Sequence, residues 1–193
     1  MTGTPGNIVT GAGKLYVASF GATEPADSSM SPYTVPDSSV WTDCGLTTGG
    51  IVWEDDLPVT DLTVDQFLGP VAGAYVNGTA LSTITVTMAE STLDNYALAL
   101  NKLVTRNSGT GWASAEALAA SLPPVPTYAA VMVDGWAPGG SFRRRMIGRK
   151  CLSKAKVQNT VAQDGKINGV AATWTMYEVS ETVGRWKRID QTA

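Results

Sequence analysis

Leu81-Ser-Thr-Ile-Thr-Val-Thr-Met-Ala89 is the stretch whose reading decides the fold class. Ile84, Val86 and Met88 alternate with Thr83, Thr85 and Thr87. A period of two, with β-branched residues on both faces, predicts a strand with one buried face. Working outward, strands are expected at Lys14–Phe20, Ser39–Cys44, Gly50–Glu54, Tyr128–Asp134, Ser141–Leu152, Lys154–Val161, Asn168–Tyr177 and Arg185–Ile189. Asp164-Gly165 supplies a hairpin turn between two of them. The chain therefore reads as mainly β.

One helix is well specified. Ser91-Thr-Leu-Asp94 offers an N-cap hydroxyl and an acid in the first turn. Leu93, Tyr96, Ala97, Leu100, Leu103 and Val104 recur at helical spacing until Asn107-Ser-Gly-Thr-Gly111 ends the run. A second, shorter helix is expected over Ala113–Leu122, stopped by Pro123-Pro124. Apolar stripes of this kind pack on a sheet rather than form a groove.

The 193 residues suit one domain, residues 1–193, and a chain of this size needs no disulfide or metal to hold its core. It contains no histidine. That excludes Ser/His and Cys/His nucleophiles and any histidine-liganded metal. There is no phosphate-binding GxxxxGK[ST] loop and no GxSxG elbow, and Gly11-Ala-Gly13 lacks the third glycine and the preceding strand of a dinucleotide loop. The carboxylates are scattered singly, without a calcium or magnesium spacing. Asp55-Asp56 would point to opposite sides of an extended segment, which makes a poor acid/base pair and a better solvated turn. No cofactor is implied, and the chain does not read as an enzyme. The N-terminus carries no secretory signal and no apolar run is long enough to span a bilayer, so synthesis in a cytoplasm without membrane insertion is expected. Cys44 and Cys151 either meet in the fold or, as for most isolated cysteines, serve as small buried hydrophobes.

Charge is distributed unevenly. The first hundred residues hold one lysine against eleven acids, a net of −10, and the remainder thirteen cations against six acids, a net of +7, for the overall −3. Either the halves fold back on each other, or acidic and basic surfaces make the molecule self-complementary. Asp55–Gly78 carries Asp55, Asp56, Asp61 and Asp65 yet keeps Leu57, Val59, Leu62, Val64, Phe67, Leu68, Val71, Tyr75 and Val76. A solvated loop needs fewer apolar residues. The segment is either an ordinary hairpin on its own domain or an extended hairpin arm, residues 55–78, that buries them against another subunit. Arg143-Arg-Arg145 with Arg149 and Lys150 is the strongest basic run. As a strand it places Arg143, Arg145, Ile147 and Arg149 on one side and Phe142, Arg144, Met146 and Lys150 on the other. It reads as a nucleic-acid contact, as a partner for another subunit's acids, or as a solvated strand end. The acidic whole and the lack of interleaved aromatics disfavour the first.

Several segments, in order, resemble the major tail tube proteins of long-tailed bacteriophages. They are Gly13-Lys-Leu-Tyr-Val-Ala-Ser-Phe-Gly with Glu24-Pro25, Trp41-Thr-Asp-Cys-Gly45, and Val64-Asp-Gln66 with Gly69-Pro-Val71 and Gly78. The alternating strand to Met88, Ala89-Glu-Ser-Thr-Leu-Asp-Asn-Tyr-Ala-Leu-Ala-Leu100, Arg143-Arg-Arg-Met-Ile147, Ala171–Tyr177 and Trp186-Lys-Arg-Ile189 follow. The resemblance spans nearly the whole chain. It implies a β-sandwich or barrel-like domain with one flanking α-helix and a long hairpin arm. It also implies hexameric rings stacked head to tail into a hollow tube, assembled in the host cytoplasm and carried in the virion. The implied partners are further copies of the chain, a tape-measure protein in the lumen, tail-terminator and distal tail proteins at the ends, and DNA in transit.

Under this resemblance Asp55, Asp56, Asp61, Asp65, Phe67, Leu68, Val71, Tyr75, Arg143, Arg145 and Arg149 are the candidate inter-subunit contacts, acids facing arginines across subunits. Two alternatives stand beside it. One is the tube protein of a contractile tail or secretion machine. The other is a monomeric β-sandwich that binds carbohydrate, whose usual exposed aromatic face is not evident in the dispersed Trp41, Trp53, Trp112, Trp136, Trp174 and Trp186.

Overall fold

The computed structural model describes residues 12–56, 58–63, 70–77, 81–101, 104–117, 127–137, 142–154, 157 and 169–192. In chain order the main elements are β1 (Lys14–Ser19), β2 (Thr42–Asp43), β3 (Thr47–Asp56), β4 (Val59–Thr63), β5 (Pro70–Asn77), β6 (Leu81–Met88) and α1 (Leu93–Ala99). There follow β7 (Val104–Gly109), β8 (Trp112–Ala117), β9 (Ala129–Trp136), β10 (Arg143–Ser153), β11 (Val170–Met176) and β12 (Trp186–Asp190). The architecture is mainly β, with antiparallel pairing throughout and one described α-helix.

β6 behaves as its alternation predicts. Ile84, Val86 and Met88 are buried, while Thr83, Thr85 and Thr87 face outward, and Thr85 and Thr173 join their hydroxyls across to β11 at 3.1 Å. The main sheet runs β2-β1-β9-β10-β11-β6-β3, with β12 added beside β10. One cluster joins strands from both ends of this order: Leu15 and Val17 of β1, Val131 and Val133 of β9, Ile84 and Val86 of β6, and Ala172 and Trp174 of β11. The sheet is therefore curled so that its two halves face each other over a shared core. Each fully buried aliphatic side chain there contributes about 1.5–3 kcal/mol. β1 is buried on both faces, because Tyr16 and Ala18 pack with Trp41, Met132 and Ile147 under the 22–41 segment.

β10 is the hinge of the curl. One edge pairs with β9; the other pairs with β12 over Arg144–Gly148 and then with β11 over Cys151–Ser153. The register with β9 shifts between Gly148 and Cys151. A Cβ on Gly148 would lie 2.8 Å from Cys151 Sγ and 3.1 Å from Met176 Sδ, so the bulge needs a residue without one.

Four expectations change. The helix is capped by Thr92, whose hydroxyl accepts from the Asn95 N–H, and it ends at Ala99 rather than running to Val104. Asn101 stops it by taking a left-handed conformation (φ 54°), which asparagine tolerates, while its side chain bonds both the N–H and the C=O of Ser153. The helix expected from Ala113 is instead β8 over its described part. Thr110-Gly111 forms a two-residue turn, Gly111 at φ 80°, and Gly109 pairs with Trp112. Pairing overrides the helical preference of the alanines. Of Ser39–Cys44 only Thr42–Asp43 is strand, and Lys154 lies beyond the end of β10. Most of 155–168, including Asp164-Gly165, lies outside the described residues.

Candidate functional site

Asp56 of β3 and Leu81 of β6 are cross-strand partners. A turn of two residues would close such a pair; the chain instead spends residues 57–80 between them. Within that excursion β4 and β5 pair with each other, Asp61 opposite Tyr75, in a two-stranded sheet separate from the main one. Asp55, Asp56 and Asp61 are exposed. Asp55 accepts a hydrogen bond from Trp53 Nε1 at 3.1 Å, and both acids at the end of β3 lie in a strand rather than a turn. Val71 and Tyr75 lie on β5; Asp65, Phe67 and Leu68 lie outside the described residues.

The basic run is β10, and most of its charge is answered within the chain. Arg145 has no exposed surface. Its Nε and Nη2 donate to the two oxygens of Asp134 at 2.7 Å each, Nη1 donates to Ser29 Oγ at 2.9 Å, and Nη2 also reaches the Thr34 carbonyl at 3.1 Å. Tyr33 donates its hydroxyl to Asp134 at 2.8 Å. Burial opposes the Arg145 charge, but Asp134 more than offsets it and raises the guanidinium pKa above its ordinary range. Burial, then the bond to Asp134, pushes Tyr33 up to about 12. Arg149 forks onto Glu24, Arg144 onto Asp190, and Lys187 reaches Asp27.

Arg145 thus departs from the outward role expected for it: a buried arginine survives only when paired and hydrogen-bonded, and Asp134 on the neighbouring strand does this. Glu24–Arg149 and Asp27–Lys187 join the acidic first half to the basic second half, so folding back cancels part of the charge asymmetry.

Arg143 differs. Its guanidinium stacks 3.8 Å from the Trp136 ring centre and 5.1 Å from that of Tyr33, and no described carboxylate is within ion-pair distance. It lines a cleft of about 620 Å³ with Lys14, Tyr33, Asp43, Glu90 and Trp136. Among the described residues no ion pair joins the candidate acids of β3 and β4 to the arginines of β10, although the curl brings Trp53 of β3 edge-on to Trp186 of β12, with ring centres 6.3 Å apart.

A cluster the sequence reading missed lies past the bulge. Phe20, Tyr128 and Tyr177 form a run of tilted and edge-on rings, with centres 6.3 and 5.8 Å apart. Lys150 Nζ sits 4.8 Å from the centre of Tyr128 and 5.6 Å from that of Phe20, and Lys154 Nζ 5.0 Å from that of Tyr177. Lys150 was visible as part of the basic run, but only the fold brings Phe20 and Tyr128 to it and Tyr177 to Lys154.

Cys44 and Cys151 are free thiols, and burial pushes both up to about 12. Among the described residues no group of three or more His, Cys, Asp or Glu side chains could hold a metal ion, and no helix is long and apolar enough to cross a membrane. No protein-family model matches the chain, and no curated protein matches it.

Proposed function

We propose that this chain is the major tail tube protein of a long-tailed bacteriophage, polymerising as stacked hexameric rings into the hollow conduit for DNA. The observation that carries the reading is the excursion of residues 57–80 between the paired Asp56 and Leu81, with its own β4–β5 hairpin outside the main sheet. A hairpin separate from its own sheet, with acids on it and on the strand leading into it, is suited to reach a neighbouring copy. The curled antiparallel sheet, the single described helix and the order of the sequence segments support the same reading. Heterologous, head-to-tail contacts grow an open assembly when the rotation does not close, and stacked rings use such contacts along the tube axis. The tape-measure, terminator and distal tail proteins are the partners this reading brings with it.

The register defines the test. Replacing residues 57–80 by Asn-Gly joins Asp56 to Leu81 through a two-residue hairpin turn and leaves the main sheet intact. The shortened chain is expected to fold, with cooperative thermal unfolding, and to form no tubes under conditions where the full chain does. Normal tubes from the shortened chain would remove the role given to the hairpin.

A further inference from the structure

Resting on the tube reading, we infer a specific contact between neighbouring copies: the acidic outer edge of β3 in one copy docks on the Lys150–Lys154 aromatic patch of the next. Among the described residues most cations already have carboxylates. Lys14 holds Asp43, and Arg144, Arg145, Arg149, Arg185 and Lys187 hold Asp190, Asp134, Glu24, Glu178 and Asp27. Lys150 and Lys154 hold none of the described acids and are poised instead over rings. Glu54, Asp56 and Asp61 likewise have no described cation. Lys150 and Lys154 on one patch and Glu54 and Asp56 on the other are thus opposite charges without a described counter-ion, as Arg143 is beside its own cleft.

Register fixes where those patches stand. Cys151, Met176, Ser82 and Asp55 form one row across β10, β11, β6 and β3. Cys151, Met176 and Ser82 are buried, so the adjacent row of Lys150, Tyr177, Leu81 and Asp56 lies on the outer face. Lys150 and Asp56 share one level of the sheet but lie three strand spacings apart, about 14 Å. That exceeds the screening length of about 8 Å at physiological salt, so the two cannot neutralise each other within a chain. A second copy set alongside, at the same level, brings one patch against the other; a copy displaced along the strands does not. In the ring of the tube reading the contact is used laterally and heterologously, one patch of each copy meeting the other patch of the next.

Each patch also offers apolar surface. Val52 (54% exposed) and Leu81 (43%) flank Glu54 and Asp56, and Phe20 (44%) lies beside Lys150. An apolar centre with complementary charge at its border is how specific interfaces are built.

Charge exchange tests the pairing. Glu54→Lys/Asp56→Lys and Lys150→Glu/Lys154→Glu alter exposed or half-exposed side chains, so both variants should keep the native circular dichroism and melting behaviour. Each alone is expected to raise the concentration for half-assembly at least about tenfold, read by sedimentation velocity and negative-stain microscopy. Mixing the two, or combining all four substitutions in one chain, is expected to restore assembly. Variants that assemble like wild type, or a combined variant no better than its parents, would overturn the pairing and leave the tube reading standing. A wild-type chain that stays monomeric at every concentration, with and without a tail-tip complex to extend, would overturn both.

Discussion

Disrupting the buried Asp134–Arg145 pair tests how the 22–41 segment is held to the sheet. Arg145 is fully buried and Asp134 nearly so, the guanidinium forks onto both carboxylate oxygens at 2.7 Å, and Tyr33, Ser29 and Thr34 complete the network. Asp134→Asn leaves a buried guanidinium without a counter-charge. Arg145→Met leaves a buried carboxylate that retains only the Tyr33 hydroxyl among its described side-chain partners. Breaking a buried pair from one side costs about 3–5 kcal/mol, a large part of the roughly 5–15 kcal/mol that holds a domain together. Replacing both partners removes both orphaned charges. The double variant Asp134→Asn/Arg145→Met should therefore be less destabilised than the two single losses summed, by about 2 kcal/mol or more. Urea unfolding of the four proteins, followed by tryptophan fluorescence, measures the cycle. Trp41 lies in the adjoining cluster and donates to the Thr23 carbonyl, so it reports release of the segment. Single variants costing under about 1 kcal/mol, or losses that simply add, would refute the reasoning.

Stability should also fall in alkali. The folded-state pKa values of Cys44, Cys151 and Tyr33 are raised, so the stability tied to their neutral forms is intact below the ordinary values of 9.0 and 10.0 and is lost progressively up to about 12. Each group then steepens the loss by about 1.4 kcal/mol per pH unit, so urea midpoints measured from pH 8 to 11 should drop above pH 9, and less steeply in Cys44→Ala/Cys151→Ala. Thr92→Ala removes the hydroxyl that caps α1 and should cost about 1 kcal/mol in the same assay, with Thr92→Ser restoring most of it. Gly148→Ala should cost about 1–3 kcal/mol by pressing on Cys151 Sγ, and Cys151→Ala should relieve part of that loss.

Local pattern revealed much of the strand content and little of the pairing. β1, β6, β9, β10, β11 and β12 were legible because β-branched and alternating residues mark a half-buried strand within a few positions. β7–β8 was misread because Ala113–Ala117 carries helical residues, and only cross-strand pairing after Gly111 makes it a strand. The helix end was hidden for a similar reason: Asn101 terminates α1 through bonds to Ser153, far along the chain. Among the candidate contacts, the exposed acids of β3 and β4 could be read as charged and solvent-facing. The fate of the arginines could not, since Asp134 and Glu24 become their partners only when β9 and the 22–41 segment reach β10. The lysine–aromatic patch was likewise invisible, its members being drawn from four distant stretches.

Negative-stain microscopy of the purified full chain at rising concentration, with size exclusion in parallel and a tail-tip complex as seed, tests the central claim most directly. The account predicts hollow tubes or stacked rings, formed above a threshold concentration or grown from the seed. A chain that remains monomeric at every concentration and fails to extend the seed would contradict it.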